Sequence, residues 1–93
     1  METVQLSDDG AVTIHQVHEG EGIGYELTFE VKAGSPLDAE LEQHFRSGEL
    51  LPFSYQEEEL PVSIRTMADM PGERRRYEGT AGFLRPGMGG AGG

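Results

Sequence analysis

Residues 23–48 read IGYELTFEVKAGSPLDAELEQHFRSG, and two periodicities meet in that stretch. Ile23, Tyr25, Leu27, Phe29 and Val31 alternate with Gly24, Glu26, Thr28, Glu30 and Lys32. A strict period of two makes a strand with one apolar and one wet face. The spacing then changes. Leu37, Leu41, His44 and Phe45 share the single stripe of an amphipathic helix. Both helix ends are marked. Ser35 is the N-cap, Pro36 suits the first turn, Asp38 completes a capping-box-like arrangement, and Gly48 is a natural stop. Glu42 and Arg46 stand one turn apart, as an ion pair requires.

Strand signals continue on both sides of this unit. Val4 and Leu6 mark a short first strand, and SDDG (residues 7–10) supplies a tight turn. Val12 and Ile14 share a face of the second strand, while Val17 falls out of phase, as a β-bulge would leave it. HEGEG (18–22) turns the chain into the third strand. Beyond the helix, Leu51, Phe53 and Tyr55 share a face, with Pro52 outward as on an edge strand. EEE (57–59) is the next turn, and Leu60, Val62 and Ile64 face inward with Pro61 outward. ADMPGE (68–73) turns again, and Tyr77, Ala81 and Phe83 line the last strand, where Gly79 and Gly82 mark a bend. The expected fold is α+β, mainly β: a small antiparallel barrel or curled sheet of about six strands, with one helix between strands three and four, βββαβββ. Residues 1–85 form one globular domain. The glycine-rich residues 86–93 form a flexible tail, because so much glycine cannot repay its ordering entropy.

The chain has 93 residues and no cysteine, which excludes disulfides, thiolate metal sites and thiol chemistry. Its N-terminus lacks the basic and apolar regions of a signal peptide, and no stretch reaches the roughly 18 to 20 apolar residues of a membrane span. The expected location is the cytoplasm. Seventeen acidic residues stand against seven basic ones, for a formal net charge of −10. Such a balance argues against nucleic acid or an anionic membrane as partner and favours solubility or a basic protein surface.

Against that charge, Arg74, Arg75 and Arg76 stand in a row. In an ordinary solvated patch they would pair with Glu19, Glu21, Glu73 and Glu78, at about 0 to 1 kcal/mol each. The functional alternative sets them against an acidic surface elsewhere. If consecutive strands form hairpins and the helix returns the chain across the sheet, Glu57, Glu58 and Glu59 lie roughly 20 Å from the arginines, at the other end of the fifth strand. In that layout Asp8 and Asp9 join the glutamates, and HEGEG joins the arginines.

His15 and His18 lie three apart, so regular alternation separates them, and only a bulge would bring them together as metal ligands. GEGIG (20–24) leads into a strand and lacks the helix N-terminus of a phosphate loop. No carboxylate pair stands in an apolar setting that would raise a pKa. The expectation is a non-catalytic acidic interaction or assembly subunit without metal or cofactor. It would bind a protein partner or its own copies through Arg74, Arg75 and Arg76, with Glu57, Glu58 and Glu59 as the opposing patch. Small barrels flanked by one helix resemble the building blocks of phage tail-tube and connector rings, a likeness of architecture alone. Two alternatives remain. Acidic residues spaced along one face would suit a nucleic-acid-mimicking inhibitor of a basic protein. Gly92 and Gly93 resemble the Gly-Gly end of ubiquitin-like modifiers and sulfur carriers, which implies a carrier role, although that family places two strands before its helix where three are counted here. The strand order also resembles an oligonucleotide-binding barrel, but acids occupy the strands where that groove needs basic residues.

Overall fold

The computed structural model describes residues 1–19 and 22–84. Three strands, β1 (Glu2–Ser7), β2 (Gly10–Glu19) and β3 (Gly22–Lys32), precede the helix α1 (Pro36–Ser47). Three more follow: β4 (Leu51–Tyr55), β5 (Glu58–Met70) and β6 (Arg74–Leu84). They form one antiparallel sheet in the order β1-β2-β3-β6-β5-β4. The sheet curls into a half-barrel, and α1 packs against β5 and β3. The glycine-rich stretch 86–93, with Gly92 and Gly93, and the turn residues Gly20 and Glu21 lie outside the described residues. Among the described residues no helix is long and apolar enough to cross a membrane.

Alternation fills the core. Val12, Ile14, Leu27, Phe29, Val31, Val62, Ile64, Tyr77 and Ala81 are buried from the sheet, and Leu41 from the helix. The helix ends behave as their residues dictate. Ser35 Oγ accepts from the Asp38 amide at 3.1 Å, and Gly48, at φ 80°, donates to the His44 carbonyl at 3.0 Å. Asp38 Oδ2 accepts from the Gly34 amide at 2.8 Å, one residue earlier than a capping box would reach. Arg46 and Glu42 pair at 2.7 Å.

Three expectations need correction. First, β2 pairs with β3 in unbroken register, so it holds no bulge; Val17 is a half-buried residue of the outer face. The register shifts occur instead near Leu6, at Arg65, and at Gly82–Phe83 opposite Gly24, where Gly82 takes φ 71°. Bulges add local twist, and these sit where the sheet must curl.

Second, the β4–β5 turn is not EEE. Tyr55 faces Glu58, so Gln56 and Glu57 alone make the loop, and Glu58 and Glu59 belong to β5. Gln56 and Glu57 both have positive φ (51° and 66°), as a type I′ turn demands. Neither residue prefers that region. Replacing the pair with Asn-Gly is therefore expected to stabilise the protein by about 1 kcal/mol, read as a higher urea midpoint at unchanged slope. The β5–β6 turn is likewise shorter than ADMPGE, comprising Pro71, Gly72 and Glu73.

Third, the ends of the molecule are composed differently. The Lys32 amide donates to the Asp9 carbonyl at 2.7 Å, and the Ala33 amide to the Glu73 carbonyl at 2.8 Å. Asp8 and Asp9 therefore share the arginine end, and the paired strand ends Glu19 and Gly22 lie with Glu57 at the other. The cause is β4. It has five residues and pairs only with Glu58–Val62, the first part of the thirteen-residue β5. Helix and β4 both run away from the arginine end, in tandem. The helix does not return the chain to begin a full-length strand.

Candidate interaction surface

Along β6 the side chains alternate, and this divides the arginine triplet. Arg75 shares a face with buried Tyr77 and points under the sheet toward α1. Its Nη1 lies 3.4 Å from Asp38 Oδ2 and 3.4 Å from Glu42 Oε1, and its Nε donates to Asp69 Oδ1 at 3.0 Å. The Tyr77 hydroxyl donates to Asp38 Oδ1 at 2.6 Å. Asp38 itself is almost wholly buried, at 3% exposure. Burial works to raise its pKa, but the Tyr77 hydroxyl, the Gly34 amide and the Arg75 charge outweigh it, and the carboxyl stays below its ordinary value. Burial and the same hydrogen bond push the Tyr77 phenol up to about 12. This cluster pins the first turn of α1 to β6, and Arg75 is consumed by it.

Arg74 and Arg76 point the other way, onto the convex face. Arg76 reaches Glu30 at 3.5 Å, while its Nε is buried without a hydrogen-bond partner among the described residues. Arg74 is exposed and stands directly opposite Lys32 of β3, also exposed. Neither has an ion pair among the described residues. Lys32, Arg74 and Arg76 thus make one basic patch. Of the acids expected beside the triplet, Glu78 accepts from Thr66 at 3.2 Å and Glu73 lends its backbone carbonyl to Ala33. The partners found are Asp38, Glu42, Asp69 and Glu30.

Thirteen residues of β5 span about 40 Å, so Glu57 and Glu59 lie far from this patch. Both are exposed, and the side chain of Glu58 lies outside the described residues. Glu2 joins them from β1, accepting from the Tyr55 hydroxyl at 2.7 Å across the mouth of the half-barrel, a contact that raises the Tyr55 pKa. His15 and His18 fall on opposite faces, both exposed, as unbroken register requires. Among the described residues no group of three or more His, Asp or Glu side chains is placed to hold a metal ion. No family model, curated protein or solved structure matches the chain.

Proposed function

We propose that the chain is a non-catalytic interaction or assembly subunit, acting in the cytoplasm, that presents Lys32, Arg74 and Arg76 to an acidic surface on another copy or another protein. The observation carrying this reading is the Lys32–Arg74 pair. Like charges directly opposite on neighbouring strands oppose sheet formation, by a few tenths to about 1 kcal/mol. Asp8, Asp9 and Glu73 share this end but form no ion pair with either side chain among the described residues, and Glu57 and Glu59 lie several Debye lengths away. An outside carboxylate would relieve them. The fate of Asp38, a buried carboxylate held ionised among donors, supports a positioning role over a reactive one. On the convex face Arg76 and Arg74 interrupt the acids Glu26, Glu30 and Glu78, which weighs against a continuous row of phosphate-like charges.

Unlike patches at far ends favour a head-to-tail contact, which repeats into a ring or stack. Light scattering across a salt series tests this. The mass is expected to rise with concentration beyond that of a dimer at low salt, to fall back as salt increases, and not to exceed a dimer at low salt in an Arg74→Glu, Arg76→Glu variant. A wild type that never exceeds a dimer at high concentration and low salt leaves only a foreign acidic partner for the basic patch.

A further inference from the structure

We infer that the outer edge of β1 is a strand-addition site for a second copy of this chain, forming a two-fold β1–β1 pair that extends the sheet across both molecules. The order of the sheet leaves β1 and β4 at its edges. An edge strand exposes unpaired backbone groups, and proteins blunt such edges with proline or charge. β4 is blunted. Pro52 faces Pro61, and two facing prolines cannot exchange hydrogen bonds, so the nitrogen of Pro52 points away from β5 into the free edge.

β1 carries no such proline. The Lys32 amide bonds the Asp9 carbonyl, so along β2 the odd-numbered residues turn their backbone groups toward β3, and Thr13 faces Thr3 as a non-hydrogen-bonded pair. The amides and carbonyls of Thr3 and, two residues on, Gln5 therefore point outward. Among the described residues nothing bonds to them.

The pattern of β1 selects its own copy as occupant. From Thr3 to Ser7 it has no formal charge, so two chains of net charge −10 meet at a neutral segment. An antiparallel pair centred on Val4 sets Thr3 against Gln5 of the second copy, and both outward pairs then exchange hydrogen bonds. Half-buried Val4 meets its own counterpart, a favourable β-branched contact. Glu2 falls opposite Leu6, which keeps the two Glu2 carboxylates about 13 Å apart along the strands.

Sedimentation equilibrium at high salt, where contacts between charged patches are screened, tests this pairing separately from the basic patch. A dimer is expected there, unchanged by Arg74→Glu with Arg76→Glu. The Thr3→Pro variant removes an amide that makes no bond within the chain and loses only the exposed hydroxyl contact with Thr13, so it should melt within a few degrees of the wild type while dimerising about tenfold or more weakly. Amide exchange on the wild type gives a second readout. Thr3 and Gln5 should become protected as concentration rises. Exchange at those amides that ignores concentration, or a Thr3→Pro protein that dimerises as the wild type does, would overturn the inference.

Discussion

Asp38→Ala is expected to destabilise the protein by about 3 kcal/mol, because one carboxylate satisfies the Tyr77 hydroxyl, the Gly34 amide and part of the Arg75 charge. Loss of the side chain leaves a buried hydroxyl with only the Asp38 carbonyl, at 3.3 Å, and frees the first turn of α1 from β6. The same residue sets an acid limit. A carboxyl whose folded pKa lies below its unfolded value stabilises the native state above that unfolded value, and loses this as pH falls through the folded one. The ordinary value here is 3.8, so the wild type should weaken progressively below about pH 4. Urea midpoints at neutral and acid pH check this. The gap between wild type and Asp38→Ala should narrow on acidification, and a gap that stays constant to pH 2 would remove the charge from the account. At the alkaline end the raised Tyr77 pKa acts in the opposite sense. Its contribution is intact below about 10 and disappears as pH rises toward about 12. A single hydrogen bond therefore helps set both limits.

What the sequence reveals and what it hides divides along physical lines. The strand over 22–32 and the helix over 36–47 are legible because their causes are local: side-chain period, an N-cap hydroxyl and a left-handed glycine. The inward face of each strand follows from the same alternation only up to the bulges, since the inward set of β5 shifts by one residue at Arg65 and Gly82–Phe83 interrupt the run on β6. The direction of β4 is not local. It depends on whether the helix returns the chain to start a long strand or shares the length of β5 with a short one, and Pro52 and Pro61 fit either arrangement. Val17 misleads for a related reason, since a half-exposed valine near the end of a sheet needs no bulge to explain it.

The arginine triplet is intermediate. The alternation that sends Tyr77 inward sends Arg75 with it, so the sequence itself separates Arg75 from Arg74 and Arg76. That Asp38 lies beneath Arg75 is invisible to any local pattern, because the two residues are 37 apart in the chain. Lys32 escapes notice for the same reason. It enters the patch only through the β3–β6 register, which sets it opposite Arg74.

Gly79→Ala should be the costliest of the small substitutions, at about 3 kcal/mol. Alanine in a strand ordinarily improves on glycine, because glycine forfeits more conformational freedom on folding. Space reverses the sign here. A β-carbon at position 79 would stand 2.5 Å from the Ser63 carbonyl oxygen and 3.1 Å from Val62 Cγ1. The first contact is with backbone, so no rotamer change relieves it. β6 would have to part from β5, on the strand that also holds β3. The approach is tight because Arg65 is an extra residue in β5 beside Gly79, and the bulge brings that backbone inward where the sheet bends. Two residues along, buried Ala81 keeps a methyl on the same face, so the face is not uniformly closed. Denaturation of Gly79→Ala beside a Gly34→Ala control separates the two causes. Gly34 has φ 84° but nothing within 4 Å of its missing β-carbon, so its substitution carries only the backbone cost, about 1 kcal/mol. Equal losses in the two variants would mean that β5 yields readily at the bulge and that close approach does not hold the curl. A loss at Gly79 well above that at Gly34 would place the curl in the β5–β6 backbone contact, where a single methyl group is enough to open it.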